Sequence, residues 1–114
     1  MTVWPDITAP AMHDDPAPGW EDPDLPDFRL IREVAGKLGY VIGLHGSMKR
    51  DCDLVAVPWT LTAGSDEYLV DALCTCLNGR VIGEPAEKPH GRRAWIIQMD
   101  GWVKNIDLSV MPRV

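Results

Sequence analysis

The sequence lacks the cysteine pattern of a disulfide-stabilised or zinc-binding domain. It has three cysteines, Cys52, Cys74 and Cys76, which is an odd number without the paired spacing of a zinc ribbon or a secreted disulfide framework. Cys74 and Cys76 lie two apart in a predicted helix, where such side chains do not face each other, so joint metal ligation is not expected. The thiols are therefore expected to be reduced.

Long hydrophobic runs are also missing. The chain has no stretch of about 18 consecutive apolar residues, and no cationic segment followed by an apolar run at its N-terminus, so we expect neither a membrane span nor a signal peptide. The net charge of -6 argues against a protein that coats nucleic acid through a broad phosphate-neutralising face. These absences predict a cytoplasmic protein without a membrane partner.

The first 26 residues differ in composition from the rest of the chain. They hold six of the ten prolines and six acidic residues, a mixture that disfavours helix and sheet and favours extended backbone. We interpret residues 1–26 as an extended N-terminal arm. Trp4 and Trp20 in the arm are expected to find an apolar surface, either on the domain or on a partner subunit, in which case the arm would hold a homo-oligomer together.

Residues 27–114 have the size and composition of a single domain. Apolar residues at helical spacing and capping signals predict two helices, and short apolar runs bounded by turn residues predict four or five strands. The helices are predicted over 27–38 and from 65 to 78, and the strands over 40–44, 53–57, 80–82, 94–99 and 103–110. Short connections favour antiparallel hairpins for the first and last strand pairs. We predict a two-layer α/β domain with a mostly antiparallel sheet.

Three aspartates form the candidate catalytic and metal-binding set. Asp51 and Asp53 are two apart at a strand start, so both carboxylates face one side, about 7 Å apart. Asp107 lies in a strand expected inside the sheet, where a carboxylate is costly unless it is paired or ligated. Together they predict a site for Mg²⁺ or Mn²⁺. The alternative is structural: Asp51 closes a turn, Asp53 pairs with Arg50, and Asp107 meets an arginine.

Nearby polar residues are candidates for binding phosphate. Gly46 permits close backbone approach, and Ser47 offers a hydroxyl and an N–H. Cationic or proton-donating side chains complete the set: Lys49, Arg50, His90, Arg92 and Arg93. His45 either points into the site or fills the strand end, and the cations of the 88–93 loop are either phosphate ligands or solvated. Three tryptophans, Trp59, Trp95 and Trp102, are expected to pack in the core or at sheet edges.

The segment Leu44-His-Gly-Ser-Met-Lys-Arg-Asp-Cys-Asp-Leu54 resembles the DNA polymerase β-like nucleotidyltransferases in their minimal form. That family has a strand ending in Gly-Ser, a later Asp-x-Asp and a third aspartate on another strand, which correspond here to Gly46-Ser47, to Asp51 and Asp53, and to Asp107. The resemblance implies a nucleotidyltransferase-like fold and two metal ions that orient a nucleoside triphosphate. Only three residues separate Ser47 from Asp51, fewer than in the family, so a nucleotide site is predicted more firmly than nucleotidyl transfer.

The chain is also similar to small uncharacterised proteins of phages and prophages, over 45–60, 88–95 and 106–113. This similarity implies the cytoplasm of a bacterial host and an alternative role as an anti-defence protein that cleaves or sequesters cyclic nucleotide signals. Two further alternatives stay open, a non-catalytic inhibitor of a host protein and a toxin–antitoxin partner. The expected partner is therefore a nucleotide or cyclic nucleotide, and transfer, hydrolysis and sequestration are all compatible with the residues.

Overall fold

The computed structural model describes residues 27–46, 50–102 and 104–113. The proposed arm, residues 1–26, with Trp4 and Trp20, lies outside the described residues, and so do Ser47 and Lys49. The described elements are α1 (Phe28–Lys37), β1 (Tyr40–Leu44), β2 (Cys52–Pro58), α2 (Asp66–Leu77), β3 (Gly79–Val81), β4 (Ala86–Glu87), a 3₁₀ turn (Pro89–Gly91), β5 (Arg93–Met99) and β6 (Ile106–Val110).

Both helices begin at side-chain caps that the sequence indicated. The Asp27 carboxylate accepts a hydrogen bond from the Leu30 amide at the start of α1, and the Ser65 hydroxyl does the same for the Tyr68 amide at the start of α2. At its other end α2 stops at Asn78, whose left-handed backbone turns the chain directly into β3. Local capping chemistry therefore sets the boundaries of both helices.

The strands form one mixed sheet in the order β1-β2-β6-β5-β3, with β4 also paired to β5. Strand β1 is antiparallel to β2, and β5 is antiparallel to β6, as the two predicted hairpins require. The central pairing of β2 with β6 is parallel, which the sequence analysis did not predict. The described residues form six strands rather than four or five, because the short strand β4 lies between the strands predicted at 80–82 and 94–99.

The helices cover one face of the sheet, and the hydrophobic core lies between the two layers. Strand residues that face this core alternate with residues on the opposite face, as in any extended strand. The largest fully buried side chains are Ile31, Leu54, Leu69, Leu73, Ile97, Ile106, Leu108 and Val70. The other face of the sheet carries Asp53 and Asp107 together with exposed apolar residues such as Val41 and Val57.

The described structure is an α+β two-layer domain, in agreement with the predicted class. In the described part of the chain, no helix combines the length and the apolar character that crossing a membrane requires.

Candidate metal centre

The parallel pairing of β2 and β6 brings two of the three predicted aspartates side by side. Asp53 and Asp107 are direct partners in the register of these strands. Neighbouring strands are about 4.8 Å apart, and paired residues point to the same face, so the two carboxylates project together. That face is opposite the helices, because the neighbours Leu54 and Leu108 are fully buried in the core. The sheet thus places the carboxylates of Asp53 and Asp107 next to each other.

Asp51 completes the acidic cluster from the segment that leads into β2. One ligand atom from each of Asp51, Asp53 and Asp107 lies within 4.8 Å of the others, and all three residues are half-buried. An octahedral Mg²⁺ with oxygen ligands at about 2.1 Å requires ligand oxygens roughly 3–4.2 Å apart. Small side-chain rotations would therefore let the three carboxylates share a hard cation.

The cluster is electrostatically unfavourable without a cation. Burial raises the pKa of Asp107 above its usual range, and the nearby charges of Asp53 and Asp51 raise it further. Positive charge on His45 and Lys88 lowers this pKa, but not enough to reverse the effect. Burial and the neighbouring carboxylates therefore make the ionised form of Asp107 unfavourable, a cost that a divalent ion would offset.

Gly46 brings the backbone against one of these carboxylates. Its φ is +72°, and a Cβ atom placed on it would lie 2.6 Å from Oδ2 of Asp53. The adjacent His45 amide donates to the Asp53 carbonyl at 3.0 Å, which fixes this segment on β2. A side chain at position 46 would therefore have to displace the Asp53 carboxylate. Gly46 thus makes a close backbone approach to a carboxylate, and its role in binding phosphate stays a prediction.

Substituting Gly46 with alanine is expected to weaken divalent-metal binding at least tenfold, because the new methyl group would push the Asp53 carboxylate out of the cluster. The left-handed backbone adds about 1–2 kcal/mol of strain whatever the surroundings. The measurement is Mn²⁺ affinity by calorimetry, together with the melting temperature.

Gly83→Ala provides the matched control for this substitution. Gly83 has a similar φ of +69°, and nothing lies within 4 Å of where a Cβ atom at this position would be. This variant should lose comparable stability and keep its Mn²⁺ affinity. Equal metal affinity in the two variants would contradict a role for Gly46 in shaping the cluster.

Arg92 lies on the same sheet face as the cluster and anchors the loop before β5. Its guanidinium donates to the Pro89 carbonyl at 3.2 Å and to the Ser109 hydroxyl at 3.0 Å. Ser109 is two residues beyond Asp107 in β6, so the anchor lies about 7 Å from the acidic cluster. The structure therefore brings Arg92 near the cluster, but with its guanidinium engaged in holding the loop.

Arg93 is not brought to the acidic cluster. It lies on the helix side of β5, where its guanidinium pairs with Asp66 at 3.1 Å and with two exposed carboxylates, those of Glu67 and Glu87. It also lies 5.2 Å from the ring centroid of Trp95. Alternation along β5 puts successive residues on opposite faces, so neighbouring arginines have different surroundings.

The remaining predicted phosphate ligands are only partly located. Arg50 is exposed, one residue before Asp51. His90 is exposed in the 3₁₀ turn, with a left-handed φ of +69°. Ser47 and Lys49 lie outside the described residues, so their predicted role is untested.

Two cations near Asp107 were not assigned to the site from sequence. Lys88 and His45 lie within electrostatic range of Asp107, since positive charge on either lowers its pKa. The His45 ring is held by a 3.2 Å contact between its Nε2 atom and the Leu54 carbonyl. Lys88 belongs to the basic cluster recognised in the sequence, and its amide bonds to the Arg92 carbonyl at 2.9 Å. The run of basic residues in the 88–93 loop was therefore a sequence signal that could have identified Lys88 as a site residue.

Comparisons with protein-family models, with curated proteins and with solved structures found no match to this chain. The chemistry of the acidic cluster is thus the basis for assigning a function.

Proposed function

We propose that the protein binds Mg²⁺ or Mn²⁺ and acts on nucleotide phosphates, with a nucleotidyltransferase-like arrangement of its aspartates. The observation that carries the proposal is the convergence of Asp51, Asp53 and Asp107 within 4.8 Å. The resemblance around Gly46-Ser47 adds the phosphate chemistry, because a metal held by three carboxylates commonly uses the phosphate oxygens of a substrate as further ligands.

The three carboxylates would hold the cation. All the donors are hard oxygens, which suits Mg²⁺ or Mn²⁺ and does not suit a thiophilic metal. When bound, such an ion neutralises phosphate charge and activates an attacking oxygen. The raised pKa of Asp107 fits this role, since a group that is unfavourable when charged and alone becomes favourable beside a dication.

The substrate phosphates would be held by cations around the cluster. Lys88 is the best located of these, and Ser47, Lys49, Arg50 and His90 are the other candidates. An attacking hydroxyl gives nucleotidyl transfer and an attacking water gives phosphodiester hydrolysis. The chain's own contribution is the same in both reactions: orientation of the phosphate and compensation of its charge.

Sequestration of a cyclic nucleotide without turnover is the second candidate function. The placement of the two arginines favours it, because Arg93 lies on the other sheet face and the Arg92 guanidinium already donates to Pro89 and Ser109. Neither is therefore poised to stabilise charge developing on a leaving group. Binding without turnover does not need a group that stabilises a leaving group.

The test is a panel of nucleoside triphosphates and cyclic dinucleotides incubated with the protein and Mg²⁺ or Mn²⁺. The readouts are turnover by chromatography and affinity by calorimetry. In a nucleotide-processing enzyme, Asp53→Asn and Asp107→Asn should each lower turnover by at least 10³-fold. Asp100→Asn is the control, because it replaces an exposed aspartate of a turn between β5 and β6 and should leave turnover unchanged.

The outcomes separate the candidates. Turnover that the wild type shows and that Asp53→Asn and Asp107→Asn lose supports a nucleotide-processing enzyme. Tight binding that persists in a chelator, with the ligand recovered intact, supports sequestration and contradicts the enzyme. Absence of binding to every nucleotide contradicts both, and would favour an inhibitor that contacts a host protein.

A further inference from the structure

The loop between β2 and α2 displays an apolar surface that the sequence analysis did not foresee. Trp59 was expected to pack in the core or at an edge, but it is 78% exposed, and Leu61 in the same loop is fully exposed. Tyr68, in the first turn of α2, is 61% exposed. We call Trp59, Leu61 and Tyr68 the loop patch. The three residues lie within residues 59–68 of the chain, and apolar side chains of this size that cluster on a surface usually mark a contact site.

Backbone hydrogen bonds fix the loop that carries this patch. The Trp59 and Thr60 amides both donate to the Gly39 carbonyl, at 2.7 and 3.3 Å, and the Gly64 amide donates to the Leu38 carbonyl at 3.0 Å. The loop is thus tied at both ends to the turn between α1 and β1. The exposure of Trp59 and Leu61 belongs to a preformed surface, which lowers the entropy cost of binding a partner there.

A groove of about 290 Å³ lies beside the patch. The described residues that line it are Gly36, Lys37, Leu38, Gly39, Thr60, Thr62, Gly64 and Tyr68. They include one cation and no carboxylate. Arg113 adds a second cation close by, since its guanidinium donates to the Ala63 carbonyl at 3.3 Å. The groove therefore combines an aromatic wall, small residues and positive charge.

We propose that this groove binds the chain's own N-terminal arm, through the segment 16–20. Proline-rich segments dock into aromatic-lined grooves at low entropy cost, because their extended backbone is already restricted. The segment 16–20 has two prolines and ends in Trp20. Docking of the Trp20 side chain on the loop patch would remove apolar surface of both from water.

Charge favours the same occupant. Residues 1–26 contain six carboxylates and no lysine or arginine, which leaves 11 acidic and 11 basic residues in the rest of the chain. The arm thus accounts for the whole net charge of -6. An acidic segment fits a groove flanked by Lys37 and Arg113 better than it fits the acidic metal centre.

The connection is long enough for the arm to reach the groove of its own chain. The groove lies at the C-terminal end of α1, and α1 has 10 residues, so its axis is about 15 Å long. Six residues lie between Trp20 and Asp27, and the seven Cα-to-Cα steps across them span up to about 23 Å when extended. Binding within one chain also has the advantage of a high effective concentration.

The test measures the protection of the arm in the full-length protein. A Glu-specific protease should cut slowly after Glu21 in the wild type. The double variant Leu61→Ser/Tyr68→Ser should be cut at least tenfold faster, because the docked state loses its apolar contacts. In 5-fluorotryptophan-labelled protein, the ¹⁹F signal of Trp20, assigned with Trp20→Phe, should change from solvent-shielded to exposed in the double variant.

Ile82→Ser is the control, since Ile82 is 42% exposed and is not among the described residues that line the groove. It should leave both readouts unchanged, and circular dichroism should show that all variants keep their fold. Equal cleavage rates in wild type and double variant would overturn the proposal. Protection that rises with protein concentration, with a dimer mass in light scattering, would also overturn it, because the arm would then cross to a second copy.

Discussion

Replacing Asp107 with asparagine is expected to make the protein more stable in chelator and unresponsive to divalent metal. Asp107 faces Asp53 directly, and like charges opposite each other on neighbouring strands cost about 0.2–1 kcal/mol. Asparagine removes this repulsion and one metal ligand together. We expect the melting temperature in EDTA to rise by about 1–8 °C, given 4–8 °C per kcal/mol for a domain of this size.

The wild type should instead gain stability from metal. A ligand that binds only the folded state, present at ten times its Kd, stabilises that state by about 1.4 kcal/mol, or roughly 5–10 °C in melting temperature. The measurement is thermal unfolding with Mn²⁺ or EDTA. Asp100→Asn is the control and should behave as wild type. A metal response retained in Asp107→Asn would contradict the proposed ligand set.

The stabilising effect of Asp107→Asn in EDTA should depend on pH. The pKa of Asp107 is higher in the folded chain than in an unfolded one, so the folded state binds more protons. The contribution of Asp107 to the free energy of unfolding is therefore greatest at acidic pH, and it falls as the pH rises through the folded-state pKa of this group. The difference between the variant and the wild type should grow from acid towards neutral pH. If the stability difference between Asp107→Asn and the wild type does not change with pH, charge repulsion is not the cause of that difference.

Removing the Asp66 carboxylate should cause the largest loss of stability among the described polar contacts. Asp66 accepts from the buried Trp95 indole at 3.0 Å and pairs with Arg93 at 3.1 Å, which ties α2 to β5. Alanine would leave the indole N–H and part of the guanidinium without a partner. Unsatisfied buried donors cost about 1–3 kcal/mol each, so we expect a loss of about 2–3 kcal/mol in urea unfolding.

Glu67→Ala is a close control for Asp66→Ala. Both residues lie in the first turn of α2 and both contact Arg93, so the effect of the helix dipole is shared. The Glu67 side chain is 69% exposed, and exposed ion pairs contribute about 0–1 kcal/mol. Similar losses in the two variants would contradict the importance of the buried indole contact.

Patterns within a few residues predicted the local structure well. Helix α1 was predicted over 27–38 and covers Phe28–Lys37, with Asp27 as its cap. The short Gly46-containing connection between β1 and β2 predicted their antiparallel pairing. These features depend on capping, periodicity and turn length, which adjacent residues decide.

The candidate site was predictable in its residues but not in its geometry. Asp51 and Asp53 were paired by their spacing, and Asp107 was chosen because an isolated carboxylate in an interior strand is costly. Nothing in the sequence indicated that β2 and β6 are parallel partners, since the pairing of distant strands depends on how the whole sheet assembles. That pairing is what puts Asp53 and Asp107 in register.

The surroundings of Arg92, Arg93 and Trp59 could not be predicted from the local sequence either. Arg92 and Arg93 are adjacent in sequence and were predicted to act together, yet strand alternation sends them to opposite faces, one to Ser109 and the other to Asp66. Trp59 was expected to pack in the core or at a sheet edge, but it is exposed in a loop whose backbone is bonded to Gly39.

The sequence by itself determined the two capped helices, the hairpins and a set of acidic residues suited to a hard cation, because local spacing and residue chemistry are sufficient for these. Only the tertiary structure decided which carboxylates meet, which arginine approaches them and which aromatic residue stays exposed. Those outcomes depend on contacts between residues far apart in the chain, and burial and register across the sheet select them.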